Sequence, residues 1–258
     1  IYSQQKTIII SPLVALVDDQ VAALLQTGVQ VSKLHSGLSR EENVEQWQLF
    51  ASGVSKILYM SPERLMQPRM LDALQKQKIG MFVVDEAHCI SKWGADFRPD
   101  YEELSQLKTL FPTAVISAFT ATADKATRAD IVDKLTGGDC VVFVKGFDRP
   151  NLALQVLPKQ DIKSRLLDFL SDRRSQSGII YCLSRNETDQ TAEFLKGNGF
   201  NALSYHAGKT AEFRKDAQNR FMTEDAVVMV ATVAFGMGID KPDIRFVVHA
   251  SMPSRVEA

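Results

Sequence analysis

Two adjacent carboxylates at the end of an apolar run are the residues of this chain best placed to do chemistry. Met81-Phe82-Val83-Val84 leads directly into Asp85-Glu86-Ala87-His88. A strand that delivers paired acids to the carboxyl edge of a sheet can hold a metal with one and aim a water with the other, the arrangement used by phosphate-handling α/β enzymes. A solvated turn after a buried strand would give the same four letters. The next residues, Ser91 to Tyr101, set Trp93, Phe97 and Tyr101 beside Lys92 and Arg98. Aromatic faces with cations nearby hold single-stranded bases without reading their sequence. Trp93 and Phe97, at i and i+4, would equally make one apolar helix face.

Three further segments end strands in small or glycine-bearing loops. Ser117-Ala118-Phe119-Thr120-Ala121-Thr122-Ala123 offers hydroxyls that can relay hydrogen bonds between two sites, or cap the helix after Asp124. Val230 to Lys241 carries Gly236 and Gly238, which let backbone approach a phosphate closely or simply make a tight turn. Tyr205-His206-Ala207-Gly208 presents one histidine, and His206, like His35 and His249, reads first as structural. Cys89, Cys140 and Cys182 form no CxxC pair, which argues against a disulfide framework or a cysteine zinc site and for a reducing, cytosolic or nuclear setting.

These residues need a parallel sheet to position them, and the pattern supplies one. Apolar, β-branched runs predict strands at 7–10, 56–60, 80–84, 114–118, 140–144, 152–157, 178–182, 202–205, 226–231 and 245–249. Helix-period segments lie between them: Val17, Val21, Leu24 and Leu25 share one face, and Ile162 to Arg173, Glu187 to Lys196 and Glu212 to Met222 follow the same rule. Ser39 and Glu42 have capping-box spacing, Asp124 is a helix start, and Gly197-Asn198-Gly199 is a left-handed stop. Alternating strand and helix means βαβ units, an α/β fold with mainly parallel sheets flanked by helices. Gly146-Phe147-Asp148-Arg149-Pro150-Asn151 separates two series, giving domains at 1–148 and 149–258.

Composition narrows the partners. The chain has 258 residues, 45% hydrophobic and 24% charged, with neither a membrane-length apolar run nor a signal-peptide pattern at its start. Residues 151–258 hold 14 Lys+Arg against 13 Asp+Glu, and residues 1–150 hold 16 against 18. Neither half has the basic footprint of a general nucleic-acid binder, so any such binding must come from a few placed contacts.

Taken in order, the segments resemble the helicase core of the RecQ family within helicase superfamily two, over nearly the whole chain. Ile10-Ser11-Pro12-Leu13 with Asp19-Gln20, and Tyr59-Met60-Ser61-Pro62-Glu63-Arg64-Leu65, are similar to its DNA-backbone motifs. Asp85 to His88 resembles the DEAH box, Ser91 to Tyr101 the aromatic-rich loop that separates this family from RNA helicases, and Ala121-Thr122 part of the TAT motif. Phe147 to Asn151 resembles the inter-domain segment. Ile179 to Cys182 with Ser184-Arg185, then Tyr205 to Gly208, then Ala231 to Lys241, are similar to the second-domain motifs.

The resemblance implies two tandem RecA-like domains with ATP and Mg²⁺ in the cleft between them. It implies an ATP-dependent helicase moving 3′ to 5′ on single-stranded and partly duplex DNA, in repair and recombination. By that pattern Asp85 holds Mg²⁺ through water, Glu86 activates the hydrolytic water, and His88 couples to DNA through Thr120 and Thr122. Trp93, Phe97 and Arg98 would sense single-stranded DNA. Ser11, Pro12, Ser61, Pro62, Arg64, Ser184, Arg185, His206 and Thr232 would face DNA, and Gly236, Gly238 and Asp240 the nucleotide. No GxxxxGK[ST] loop occurs in these residues, and the arginine-finger motif would begin at Ser254-Arg255-Val256-Glu257. Such a finger contributes roughly 10³–10⁵-fold, so the chain by itself is expected to be inactive. Lys209 stands where the family usually has leucine. The competing expectation is a non-hydrolysing module that binds DNA or a partner.

Overall fold

The computed structural model describes residues 5–12, 14–92, 97–145, 150–233, 235, 239 and 241–252, without the side chains of 14–16 and 19. Contacts divide the chain into two units, Ile1–Gly146 and Phe147–Ala258. The boundary expected at 148/149 falls in 146–149, outside the described residues.

The first unit runs β1 (Lys6–Ile10), α1 (Val14–Gln26), β2 (Val31–Leu34), α2 (Arg40–Ala51), β3 (Ile57–Met60), α3 (Pro62–Leu65), α4 (Pro68–Gln75), β4 (Ile79–Val84), α5 (Pro99–Glu102), α6 (Leu107–Leu110), β5 (Val115–Ala118) and α7 (Lys125–Thr136). Its sheet has the order β2-β3-β1-β4-β5, all parallel. Helices cover both faces, so the central strands bury side chains on each and read as near-continuous apolar runs. Ile8, Ile10, Leu58, Phe82 and Val84 are fully buried with Tyr101, Leu104 and Leu107, while Val17, Val21, Val31 and Tyr59 close the opposite face. The second unit runs α8 (Ile162–Ser171), β6 (Ser177–Tyr181), α9 (Arg185–Gly197), β7 (Asn201–Tyr205), α10 (Ala211–Thr223), β8 (Val227–Ala231) and β9 (Ile244–His249). Its parallel sheet is ordered β7-β8-β6-β9. One position there admits only glycine: a Cβ on Gly178 would sit 2.2 Å from the Phe246 ring.

The predicted helix ends are made as their chemistry requires. Ser39 Oγ accepts from Glu42 N while Glu42 Oε2 accepts from Ser39 N, a complete capping box. Asp124 caps α7 through Thr127 N at 2.7 Å. Gly199 takes the left-handed conformation, φ 81°, just past α9.

Two predicted strands are corrected. Residues 140–144 and 152–157 join no sheet, and Phe143 and Leu154 are 90% and 86% exposed. A β-branched run becomes a strand only where a neighbour's backbone completes a ladder, and among the described residues neither run has one. Conversely, β2 carries no strand pattern because Ser32 and Lys33 interrupt its apolar run; as an edge strand it needs only one partner, β3. Among the described residues no helix is long and apolar enough to cross a membrane.

Candidate active site

Parallel register aligns the strand ends of the first unit. Leu34, Met60, Ile10, Val84 and Ala118 pair across adjacent strands, so the next residues, His35, Ser61, Ser11, Asp85 and Phe119, form a row along the carboxyl edge. Ligands of open α/β sheets bind at that edge. The sequence positions several candidates there because each begins where an apolar strand stops.

Beside the central Ser11, Asp85 N donates to Ile10 O at 2.9 Å, extending the ladder by one bond. The chain then turns sharply. Glu86 adopts φ 49°, ψ 43°, a left-handed conformation costing a non-glycine residue about 1–3 kcal/mol. Its N–H is taken by Asp85 Oδ1 at 2.9 Å, and a 3₁₀ turn over Ala87–Ile90 follows. The turn is fastened by Ala87 N to Phe119 O at 2.9 Å and by Ser91 Oγ to Asp130 Oδ2 at 2.8 Å.

His88 joins the acids to the end of β5. Its Nδ1 lies 2.8 Å from Thr120 Oγ1 and 3.3 Å from Glu86 Oε2. Thr120 Oγ1 also lies 3.0 Å from Thr122 O, to which it donates. With its proton so spent, Thr120 must accept from His88, which assigns the imidazole proton to Nδ1. The result is a relay Glu86–His88–Thr120–Thr122 inside one unit.

On the neighbouring strand ends, Ser11 is buried, and its Oγ has no hydrogen-bond partner among the described residues; Arg64 Nε is orphaned in the same way. Buried polar atoms without partners are uncommon and suit a surface that completes its bonds with a ligand. Ser61 Oγ caps α3 with Pro62 at its first position. Arg98 Nη1 reaches Pro12 O at 3.2 Å, tying the aromatic segment to the loop after β1. Phe97 lies under Lys92, 5.7 Å from the ring centre. Trp93 lies outside the described residues.

The second unit presents its own edge. Ser184 caps α9 through Glu187 N at 3.1 Å, and the exposed Arg185 packs its stem over Gly208, where a Cβ would meet Arg185 Cδ at 3.1 Å. Thr232 N donates to Tyr205 O at 3.2 Å. His206 is buried; its Nδ1 accepts from Gly208 N and its Nε2 faces Asp189 Oδ2, both at 3.1 Å. Both ring nitrogens are thus engaged within the unit, and the ring shapes its loop rather than offering an atom to a ligand. Burial pushes the Asp189 carboxyl up, but bonds from Lys209, His206 and Ser204 outweigh it and hold the group below its ordinary value. Lys209, unexplained by sequence, is a partner of Asp189 at 2.9 Å. Burial raises the Cys182 thiol to about 11, so it stays protonated at neutral pH and is no nucleophile. Gly236, Gly238 and Asp240 lie outside the described residues.

Sequence reading passed over a repeated constellation. His35 Nδ1 accepts from Gly37 N at 3.1 Å and Nε2 faces Asp18 Oδ1 at 3.2 Å, with Lys33 on the same carboxylate. This matches His206, Gly208, Asp189 and Lys209, and in both units the aspartate precedes the histidine by 17 residues. A search for Asp followed at fixed distance by His-x-Gly would have found it.

Among the described residues no group of three or more His, Cys, Asp or Glu side chains could cage a metal. The hard oxygen donor at Asp85 nevertheless suits Mg²⁺, which keeps several waters and is commonly held by one or two carboxylates plus substrate phosphates.

Comparison with known proteins agrees with this layout. The family model of DEAD/DEAH box helicases matches residues 1–131, and that of the helicase conserved C-terminal domain matches 159–258. The ATP-dependent DNA helicase RecQ of Pasteurella multocida is 42% identical over 252 residues, 98% of this chain and 40% of that protein. Its namesake in Bacillus subtilis is 41% identical over 254 residues, 98% of this chain and 43% of that protein. The chain therefore spans about two fifths of the length of these relatives. Among solved structures, S. cerevisiae Dbp5 L327V bound to RNA and ADP BeF₃ superposes with a TM-score of 0.71 at 17% identity, over 98% of this chain and 64% of that one, a likeness of fold. The family models show that the chain belongs to the DEAD/DEAH box helicases, with RecQ helicases among its relatives.

Proposed function

We propose that this chain is the motor core of an ATP-dependent DNA helicase that moves 3′ to 5′ on single-stranded DNA and opens partly duplex DNA in repair and recombination. The observation that carries the reading is the relay from Glu86 through His88 to Thr120 and Thr122, with an Nδ1–Oγ1 distance of 2.8 Å. A carboxylate that orients an attacking water gains from being wired to a neighbouring strand end. A shift at that end then changes how the acid is held. When bound, Mg²⁺ neutralises charge on the ATP phosphates; Asp85 is the residue that would hold it, through water.

Each residue then has one task. Glu86 accepts the proton of the attacking water, and His88, whose Nδ1–H donates to Thr120 and has Glu86 Oε2 as a second, longer acceptor at 3.3 Å, keeps the carboxylate aimed. Ser11, Pro12, Ser61, Pro62 and Arg64 contact the DNA backbone from the first unit; Ser184, Arg185 and Thr232 do so from the second. His206 shapes the Ala207-Gly208 loop beside them. Trp93, Phe97 and Arg98 sense single-stranded DNA, and Arg98 carries the signal through its bond to Pro12 O. Gly236, Gly238 and Asp240 act on the nucleotide.

The test is Glu86→Gln in the intact protein. Hydrolysis should fall by about 10²–10⁴-fold, the usual contribution of a general base, with ATP and single-stranded DNA still bound. A Glu86→Gln protein that hydrolyses ATP normally would remove the role given to this carboxylate.

A further inference from the structure

Tyr101 is a large buried polar side chain that the proposed chemistry leaves without a task. It is 0% exposed and among the largest fully buried side chains of the chain. Burial pushes its phenol well above the ordinary value, so it remains a hydrogen-bond donor at any working pH. The single proton goes to one place: Tyr101 Oη donates to the main-chain oxygen of Asp85 at 2.9 Å.

That carbonyl belongs to the peptide joining the two acids. Its N–H, on Glu86, is held by Asp85 Oδ1 at 2.9 Å, so the peptide is gripped at both ends, by Tyr101 on one side and by the first acid on the other. It is also where the chain leaves β4 for the left-handed Glu86. A non-glycine residue persists in that conformation only when its surroundings over-determine it, and the Tyr101 hydroxyl is one of those determinants. Tyr101 stands in the four-residue turn of α5 directly after Arg98, whose N–H donates to Cys89 O at 2.9 Å and whose guanidinium holds Pro12 O at 3.2 Å. One short turn therefore touches the peptide between the acids and the loop after β1.

We propose that Tyr101 is a positioning residue that fixes the Asp85–Glu86 peptide and thereby the aim of both carboxylates. The inference rests on the proposed function, because the reaction it serves is the hydrolysis assigned to Glu86.

The experiment is steady-state ATP hydrolysis by the intact protein at saturating single-stranded DNA, comparing wild type, Tyr101→Phe and Glu86→Gln. Phenylalanine keeps the ring and removes only the hydroxyl. Displacing a catalytic group by about 1 Å can cost on the order of 10²-fold, so Tyr101→Phe should lower kcat roughly 10- to 100-fold. Its KM for ATP and its DNA affinity should stay at wild-type values, and the lost buried hydrogen bond should lower the melting midpoint while leaving the protein fully folded at the assay temperature. Wild-type kcat in Tyr101→Phe beside an inactive Glu86→Gln overturns this inference alone. Activity in Glu86→Gln overturns the reading beneath it. If kcat falls only in step with folded fraction or DNA affinity, Tyr101 is a core residue and the positioning role is wrong.

Discussion

At the scale of single residues, the molecule uses three of its four histidines in two ways. His88 bridges a carboxylate and a threonine across two strand ends, whereas His35 and His206 fasten the loop that follows their own strand. The difference lies in the neighbours: His35 and His206 are each followed two positions on by a glycine whose N–H folds back onto Nδ1, and His88 is not. Each fastener is expected to contribute stability. His35→Phe keeps the bulk but leaves the Gly37 N–H without its partner and Asp18 with Lys33 alone, costing roughly 1–2 kcal/mol, toward the low end because Asp18 is 44% exposed. Urea unfolding checks this: the midpoint should fall with an unchanged slope. An unmoved midpoint would make the clasp idle. Sequence alone exposed the acids, the aromatic segment and His88, since each breaks an apolar pattern. It did not expose Asp18, Asp189 or the task of Tyr101, since their partners are distant in the chain and helical charges otherwise read as solvated.

At the scale of elements, legibility tracked burial. Central strands β1, β4, β6 and β8 are apolar on both faces and could be read directly, as could helices with caps of defined chemistry. The runs at 140–144 and 152–157 have the same composition yet join no sheet, because strand propensity does not create a partner. Between β6 and β9, Tyr181 and His249 are register partners stacked 5.2 Å apart at 28°. Burial depresses the His249 pKa below its ordinary value. The unfolded chain therefore takes up a proton at higher pH than the folded one, and stability falls as pH drops below about 6.5 toward the folded value. Thermal melting between about pH 7 and 5 should show this loss, and His249→Phe, which keeps the stack, should make it shallower. An identical pH profile in the variant would assign the loss to another group.

At the scale of the whole molecule, two parallel sheets each carry their candidate residues on the carboxyl edge, which fits tandem RecA-like units. Neither half is strongly basic, so the DNA affinity proposed for it must rest on a handful of contacts at strand ends. Its dependence on salt should be correspondingly mild. On the proposed function, specificity comes from coupling, in that DNA at one edge would change how the acids at that edge are held. The central claim is therefore that single-stranded DNA controls hydrolysis. The measurement is the ATP hydrolysis rate of the intact protein titrated with single-stranded DNA and, separately, with RNA of equal length. The expected result is a rate that rises with DNA to saturation, with little response to RNA. A protein that binds DNA while its hydrolysis stays absent or indifferent to it would contradict the account and leave a passive DNA-binding module.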